Sequence, residues 1–363
     1  MNKYASHADT IRQRADTQEA KRAASKLWPL VALAAAALTA LPATAKDKVT
    51  MSLAWSIGGS NNGVFLAIDK GYFAEEGIDL EVVPGNGSSN TVNRVATGTF
   101  QFGVGDTPSI VRFNAQNPDA KIKSIYNHQP TDLSIVTLKG RGITKPEDLK
   151  GRILGAPTGD TAYKMFGAFS NATGVKDTDV KWEHMAANVR EAMLIRGSVD
   201  AITANQATAF FALKSAGVSE KDMVFIMYPD VGVKLAGAGL MTPESLIKKN
   251  PDLVKRFVRA YNRGSMDTFR DTPAAVDAVL KREVLLKRDL ELEKARQMNL
   301  SIGGQTLVKE SGLGAFSDSI IQGTIDIMTQ TEGLKEKLTI ADVIDTSFLP
   351  PLKDRTLPAP VAN

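Results

Sequence analysis

The sequence predicts an α/β fold built around mostly parallel sheet, and three observations carry that reading. From Val49 onward, short segments with strand character alternate with segments of helical spacing. Polar loops of Gly, Ser, Asn and Thr repeatedly follow the strand ends and open the next helix. With 363 residues, 43% hydrophobic and 23% charged, the chain has the composition of an ordinary globular protein and the length of about two domains.

The elements follow in order. Residues 49–55 form a first strand, ended by the loop 56–62. Val64, Phe65, Ala67, Ile68, Tyr72 and Phe73 recur at helical spacing, and Gly77 stops that helix before the alternating strand 78–83. The loop 84–89 leads into a helix over 90–97 and a strand over 100–105. Asp106-Thr107-Pro108 opens the next helix, with Asp106 a candidate N-cap and Pro108 in its first turn. Strands at 122–127, 133–138, 152–156, 180–184, 198–204, 223–228 and 233–241 then alternate with helices at 146–150, 161–173, 187–196 and 207–216. Asn250-Pro251-Asp252 caps a helix whose Leu253, Val254, Phe257, Val258 and Tyr261 form one apolar stripe. Helices near 274–286 and 290–299 follow, then a shorter αβ stretch and a Pro-rich tail, 350–363, expected to be loosely held.

Residues 1–45 have a different character. A basic segment is followed by an alanine-rich apolar run of about 15 residues, shorter than the ~20 of a membrane span, and by Ala43-Thr44-Ala45. These are the three parts of a secretory signal peptide, with cleavage expected after Ala45. The leader carries six basic and three acidic residues, so the +4 net charge leaves 38 basic and 37 acidic side chains for the rest. The exported part is nearly neutral and its charges are interspersed, which argues against a nucleic-acid partner. The chain has no cysteine, hence no thiol for a lipid anchor, and a free periplasmic protein is the expectation.

Catalytic motifs do not stand out. His128 and His184 are the only histidines after the leader, neither lies in H-E-x-x-H, and the chain has no G-x-S-x-G, G-x-G-x-x-G or Walker loop. No metal or cofactor is expected. What recurs instead is a set of small polar loops after strand carboxyl ends: 55–62, 85–90, 106–107, 157–163 and 205–208. In open α/β sheets, ligands bind at that edge, where helix N-termini present free N–H groups. None of these loops contains Lys or Arg, and two contain aspartates, Asp106 and Asp160. If both face the cleft, the ligand bears an N–H or ammonium donor; the alternative is that both are helix caps pointing away.

Several motifs resemble one family. They are Asp69-Lys70-Gly71-Tyr72-Phe73-Ala74-Glu75-Glu76-Gly77-Ile78-Asp79, Val95-Ala96-Thr97-Gly98-Thr99-Phe100-Gln101-Phe102-Gly103 and Lys145-Pro146-Glu147-Asp148-Leu149-Lys150-Gly151, with Leu194-Ile195-Arg196-Gly197-Ser198-Val199-Asp200-Ala201. Asn250-Pro251-Asp252-Leu253-Val254 and Asp345-Thr346-Ser347-Phe348-Leu349 complete the series. In this order they resemble the periplasmic substrate-binding proteins of ABC importers of the nitrate, sulfonate, taurine and thiamine-pyrimidine group. The resemblance implies a type II periplasmic binding protein fold: two α/β lobes, about 47–128 plus 235–345 and 130–232, joined by two crossover hinge strands. It implies hinge closure on a small-molecule ligand, delivery to a membrane permease with its ATPase, and a monomer. It places ligand contacts at Trp55, Ser88, Ser89, Asp106 and Thr107 of lobe one, and at Thr158, Asp160, Thr161 and Asn205 of lobe two. Two rivals stay open: a sensory module presenting a ligand to a receptor, and a thiamine-pyrimidine synthase, although that enzyme type uses a cysteine-rich iron motif.

Overall fold

The computed structural model describes residues 46–128 and 131–358. The expected leader, residues 129–130 of the first expected crossing, and 359–363 of the expected tail lie outside the described residues. Two five-stranded sheets carry the fold. The first contains β1 (Asp47–Ser52), β2 (Ile78–Val83), β3 (Phe102–Asp106), β4 (Ile122–Asn127) and β10 (Ala238–Pro243), in the order β2-β1-β3-β10-β4. The second contains β5 (Leu133–Leu138), β6 (Ile153–Ala156), β7 (Lys181–His184), β8 (Ala201–Asn205) and β9 (Met223–Met227), in the order β7-β6-β8-β5-β9.

Both sheets are mixed, each with one strand reversed. β10 runs antiparallel to β3 and β4, and β5 runs antiparallel to β8 and β9, while the β1–β2, β1–β3, β6–β7 and β6–β8 pairs are parallel. The reversed strands are the two that begin just after the chain passes from one sheet to the other. A strand entered by a direct crossing arrives at the edge from which the previous strand left, so it must run the opposite way; a parallel strand needs a longer return connection. The expected strand over 233–241 therefore starts only at Ala238, because 233–237 belongs to the crossing. The αβ stretch expected after residue 300 is also corrected. It forms helices, and its only pairings among the described residues are isolated bridges, Ser124 to Ile344 and Asn127 to Gly314.

Helices cover both sheets. Those used below are α1 (Asn62–Asp69), α2 (Ser88–Ala96), α3 (Thr107–Gln116), α4 (Thr161–Lys164), α5 (Arg190–Arg196), α6 (Gln206–Ser215), α7 (Pro251–Arg270), α8 (Thr272–Leu280), α9 (Arg288–Gly304) and α10 (Asp318–Glu332). The apolar stripe of α7 is buried as its spacing dictates: Leu253, Val254, Phe257, Val258 and Tyr261 all lie in the core. Phe257 stacks on Phe102 of β3 with ring centroids 3.7 Å apart and touches Phe73 at 5.0 Å. Asn250 caps α7 by accepting the Leu253 N–H at 3.1 Å. None of the described helices is long and apolar enough to cross a membrane.

Part of the expected tail is hydrogen-bonded to a neighbouring segment. The guanidinium of Arg355 donates to the carbonyls of Pro350, Ser311 and Leu313, and Leu313 N–H donates to the Arg355 carbonyl. A buried Arg that donates to three backbone acceptors ties residues 350–355 to the segment 311–313.

The packing of α7 on α1 depends on Gly264. A Cβ there would stand 2.2 Å from the Gly63 carbonyl oxygen and 2.6 Å from the Ala67 Cβ. Gly→Ala inside a helix ordinarily stabilises by up to about 1 kcal/mol. Gly264→Ala should instead lower the unfolding free energy in urea by about 1–3 kcal/mol, the usual cost of overpacking. Gly323→Ala in α10, where a Cβ meets nothing within 4 Å, should raise it.

Candidate functional site

Because β5 and β10 are reversed, their amino ends lie at the same edges as the carboxyl ends of the other strands. Ala238 pairs with Asp106, and Leu133 pairs with Asn205. That shared edge, with α9 closing one side, encloses a cavity of about 460 Å³. Its walls include Trp55, Ser60, Asn61, Ser88, Asp106 and His128 from the first sheet's loops. The second sheet's side supplies Asp132, Asp160, Thr161, Arg190, Asn205 and Phe210, and α9 supplies Lys294, Gln297, Met298 and Ser301.

The two sides touch at backbone level. A Cβ on Gly87 would lie 2.3 Å from the Gly159 oxygen, and one on Gly159 would lie 2.7 Å from the Asn86 oxygen. Gly87 also has φ 97°, a conformation that favours glycine. Nearby, the Arg190 guanidinium lies over the Trp55 ring, 5.0 Å from its centroid, which joins α5 to the loop after β1.

Three carboxylates line the cavity, Asp160 buried and Asp106 and Asp132 half-buried, and each is held differently. Asp160 caps α4 by accepting the Tyr163 N–H at 2.9 Å, accepts the Thr203 hydroxyl at 2.9 Å and pairs with Arg190 at 3.3 Å. Asp132 accepts from Asn205 Nδ2 at 2.7 Å and from the Ala207 N–H at 2.8 Å. Asp106 occupies the N-cap position of α3 without capping it and, among the described residues, accepts only the Ser88 hydroxyl, at 2.9 Å. Burial raises the pKa of all three above the ordinary carboxylate value, opposed at Asp106 by the hydroxyls of Thr161 and Ser88. The buried Thr161 hydroxyl has no hydrogen-bond partner among the described residues.

His128 is fully engaged. Its Nε2 lies 2.9 Å from the Ser60 carbonyl, which can only accept, so that nitrogen carries the proton and Nδ1 accepts the Tyr261 hydroxyl at 2.8 Å. Burial holds its pKa below the ordinary value.

Six of the nine expected site residues meet here: Trp55, Ser88, Asp106, Asp160, Thr161 and Asn205. Three do not line the cavity. The Ser89 hydroxyl lies 3.4 Å from that of Ser109, because successive residues at the start of α2 point in different directions. Thr107 turns the other way and donates to the Gly237 carbonyl at 2.9 Å, fastening α3 to the second crossing. Thr158 is exposed on the outer side of its loop. The two readings left open for the aspartates resolve differently. Asp160 is both cap and cavity wall, and Asp106 is cavity wall alone.

Sequence reasoning missed Asp132, Arg190 and Lys294. Asp132 precedes a strand, and its place at the edge depends on the reversal of β5, which no local pattern announces. Arg190 begins α5 after a turn, and Lys294 comes from a helix far along the chain, so neither lies in a loop after a strand.

Residues 60–275, more than half of the chain, match the family described as NMT1/THI5 like. Riboflavin-binding protein RibY of Chloroflexus aurantiacus is 26% identical over 329 residues, covering 87% of this chain and 91% of that protein. The 4-amino-5-hydroxymethyl-2-methylpyrimidine phosphate synthase of Legionella pneumophila is 25% identical over 274 residues, covering 72% and 82%. Among solved structures, the alkanesulfonate-binding protein SsuA from Xanthomonas axonopodis pv. citri, bound to MOPS, aligns with a TM-score of 0.65 over 84% of this chain and all of that one. At 13% identity that likeness is one of fold. The fold is that of periplasmic binding proteins, as the motifs implied, and the chain belongs to the NMT1/THI5-like family.

Proposed function

We propose that this chain is the solute-binding component of an ABC-type importer, a periplasmic monomer released from its leader after Ala45. It captures a flat nitrogen heterocycle of the amino-pyrimidine or flavin class by hinge closure, and a membrane permease reads the closed form. The observation that carries this reading is Asp106: a half-buried carboxyl on the cavity wall with a single hydrogen-bond donor among the described residues, near the buried Thr161 hydroxyl, at the meeting of the two sheets. A carboxyl facing the cavity and short of donors calls for a ligand N–H. Trp55 and Phe210 supply flat apolar walls, and Asn61, Asn205 and Gln297 supply amide edges that read a heterocycle's perimeter. The names of two relatives, one for riboflavin and one for an amino-pyrimidine phosphate, support a ring of that kind. Sulfonate and nitrate, the ligands of other binding proteins of this fold, fit less well beside three acids.

A synthase activity has the name of the Legionella relative behind it. The cysteine-rich iron motif that the resemblance assigns to such enzymes has no counterpart in these 363 residues, and both His128 ring nitrogens are already hydrogen-bonded. Binding without turnover is the better reading.

Thermal-shift and tryptophan-fluorescence titrations with flavins, amino-pyrimidines, alkanesulfonates and nitrate test it. A heterocycle should raise the melting temperature with concentration and change the emission of Trp55. Trp55→Ala should weaken binding by about 1–3 kcal/mol, the scale of ring stacking on an aromatic side chain. A response to sulfonates or nitrate alone would exclude the heterocycle class.

Asp106→Asn separates recognition from stability. A carboxyl whose folded pKa lies above its unfolded value stabilises the fold only while protonated, so stability falls as pH rises from about 4 through the folded value. Removing that charge should raise ligand-free stability near neutral pH by on the order of 1–3 kcal/mol and flatten the decline with pH. The same variant should lose about tenfold or more in heterocycle affinity, measured by calorimetry.

A further inference from the structure

Behind the cavity wall formed by Ser60 and Asn61 sits a buried carboxylate that is not among the cavity-lining residues. Glu291, at the start of α9, is only 7% exposed, and its Oε2 accepts the Gly59 N–H at 2.5 Å. The loop Ile57-Gly58-Gly59-Ser60 is shaped around it. A Cβ on Gly59 would stand 2.8 Å from that oxygen, and one on Gly58 would stand 3.3 Å from Lys294 Nζ. Lys294, one turn further along α9, does line the cavity, and its Nζ lies 4.0 Å from the same Glu291 oxygen. Glu291 therefore uses the loop's N–H donor and neutralises from behind the cation that α9 brings to the cavity.

The charge seen from inside follows. Arg190 is already paired with Asp160 and Glu191, Lys294 is compensated by Glu291, and Asp106 and Asp132 face the space with hydrogen bonds but no cation. A doubly negative group entering this space meets acids and no free positive charge. Without the Glu291 charge, the Lys294 ammonium would be left uncompensated at the cavity wall, able to hold a phosphate oxygen.

We propose that Glu291 is a specificity-determining residue: from behind the cavity wall it cancels the charge of Lys294, so the protein accepts an unphosphorylated heterocycle and rejects its phosphate ester. This rests on the heterocycle reading above.

Calorimetry on the full exported chain tests it with two matched pairs: riboflavin and flavin mononucleotide, and 4-amino-5-hydroxymethyl-2-methylpyrimidine and its phosphate. Wild type should prefer the unphosphorylated member of the pair it binds by roughly 100-fold, the scale of a like-charge mismatch in a desolvated contact. Glu291→Gln keeps an acceptor for Gly59 and removes the charge. It should cut that preference about tenfold or more, mainly by gaining the phosphate ester, and adding Lys294→Met should restore the preference. Equal wild-type affinity for both members, or an unmoved ratio in a Glu291→Gln protein with an intact melting transition, overturns the proposal. Should that variant not fold, the wild-type ratio decides alone, since equal binding refutes the proposal whatever the variants do. If the wild type binds none of the four compounds, the heterocycle reading fails and this proposal fails with it.

Discussion

Gly87 and Gly159 let two loops from different sheets meet backbone to backbone, with no room for a Cβ on either. Backbone contact sets the two sheets at a separation that side chains alone would not impose. At that separation Ser88, one residue beyond Gly87, reaches Asp106, while Asp160 and Thr161, just beyond Gly159, complete the opposite wall. A side chain at either glycine would hold the loops apart and leave Asp106 and Thr161 in water, where neither burial nor the shortage of donors would exist. The local electrostatics of the cavity thus depend on two missing methyl groups.

Strand polarity sets the second constraint. Each crossing delivers a strand that runs against its neighbours, so the cavity rim receives strand beginnings as well as strand ends. Asp132 and Ala238 reach the rim in that way, opposite Asn205 and Asp106. The pairing also explains why Asp132 is well satisfied. It sits against the amino end of α6, where Ala207 presents a free backbone N–H.

Much of this was legible in the sequence where the signal was local. The apolar stripe of α7, the strand spans 78–83, 122–127 and 133–138, and the loops carrying Trp55, Ser88, Asp106, Asp160, Thr161 and Asn205 all follow from periodicity and turn composition. The expected residues outside the cavity share a feature. Ser89, Thr107 and Thr158 lie in the loops around the cavity but do not line it, and direction within a loop is decided by the tertiary partners, Ser109 and Gly237 for the first two. Arg190 and Lys294 were invisible because a search confined to loops after strands cannot find a cation contributed by a helix. None of those five loops contains Lys or Arg, yet Arg190 and Lys294 bring two cations to the cavity.

The three carboxylates also differ in a way that separates framework from recognition. Asp160 has a backbone donor, a hydroxyl and a guanidinium, and Asp132 has an amide and a backbone donor, so each offsets its own desolvation within the protein. Asp106 has one hydroxyl. If all three were meant only to hold the lobes, nothing would be gained by leaving the central one short of donors, and an amide or hydroxyl there would fold more stably. A group kept in that state stabilises the protein only when something else supplies the missing N–H. Under the proposed function, ligand binding would shift the population toward a closed form by the difference between an unsatisfied acid and a satisfied one, tying closure of the cavity to the chemistry of the molecule inside it.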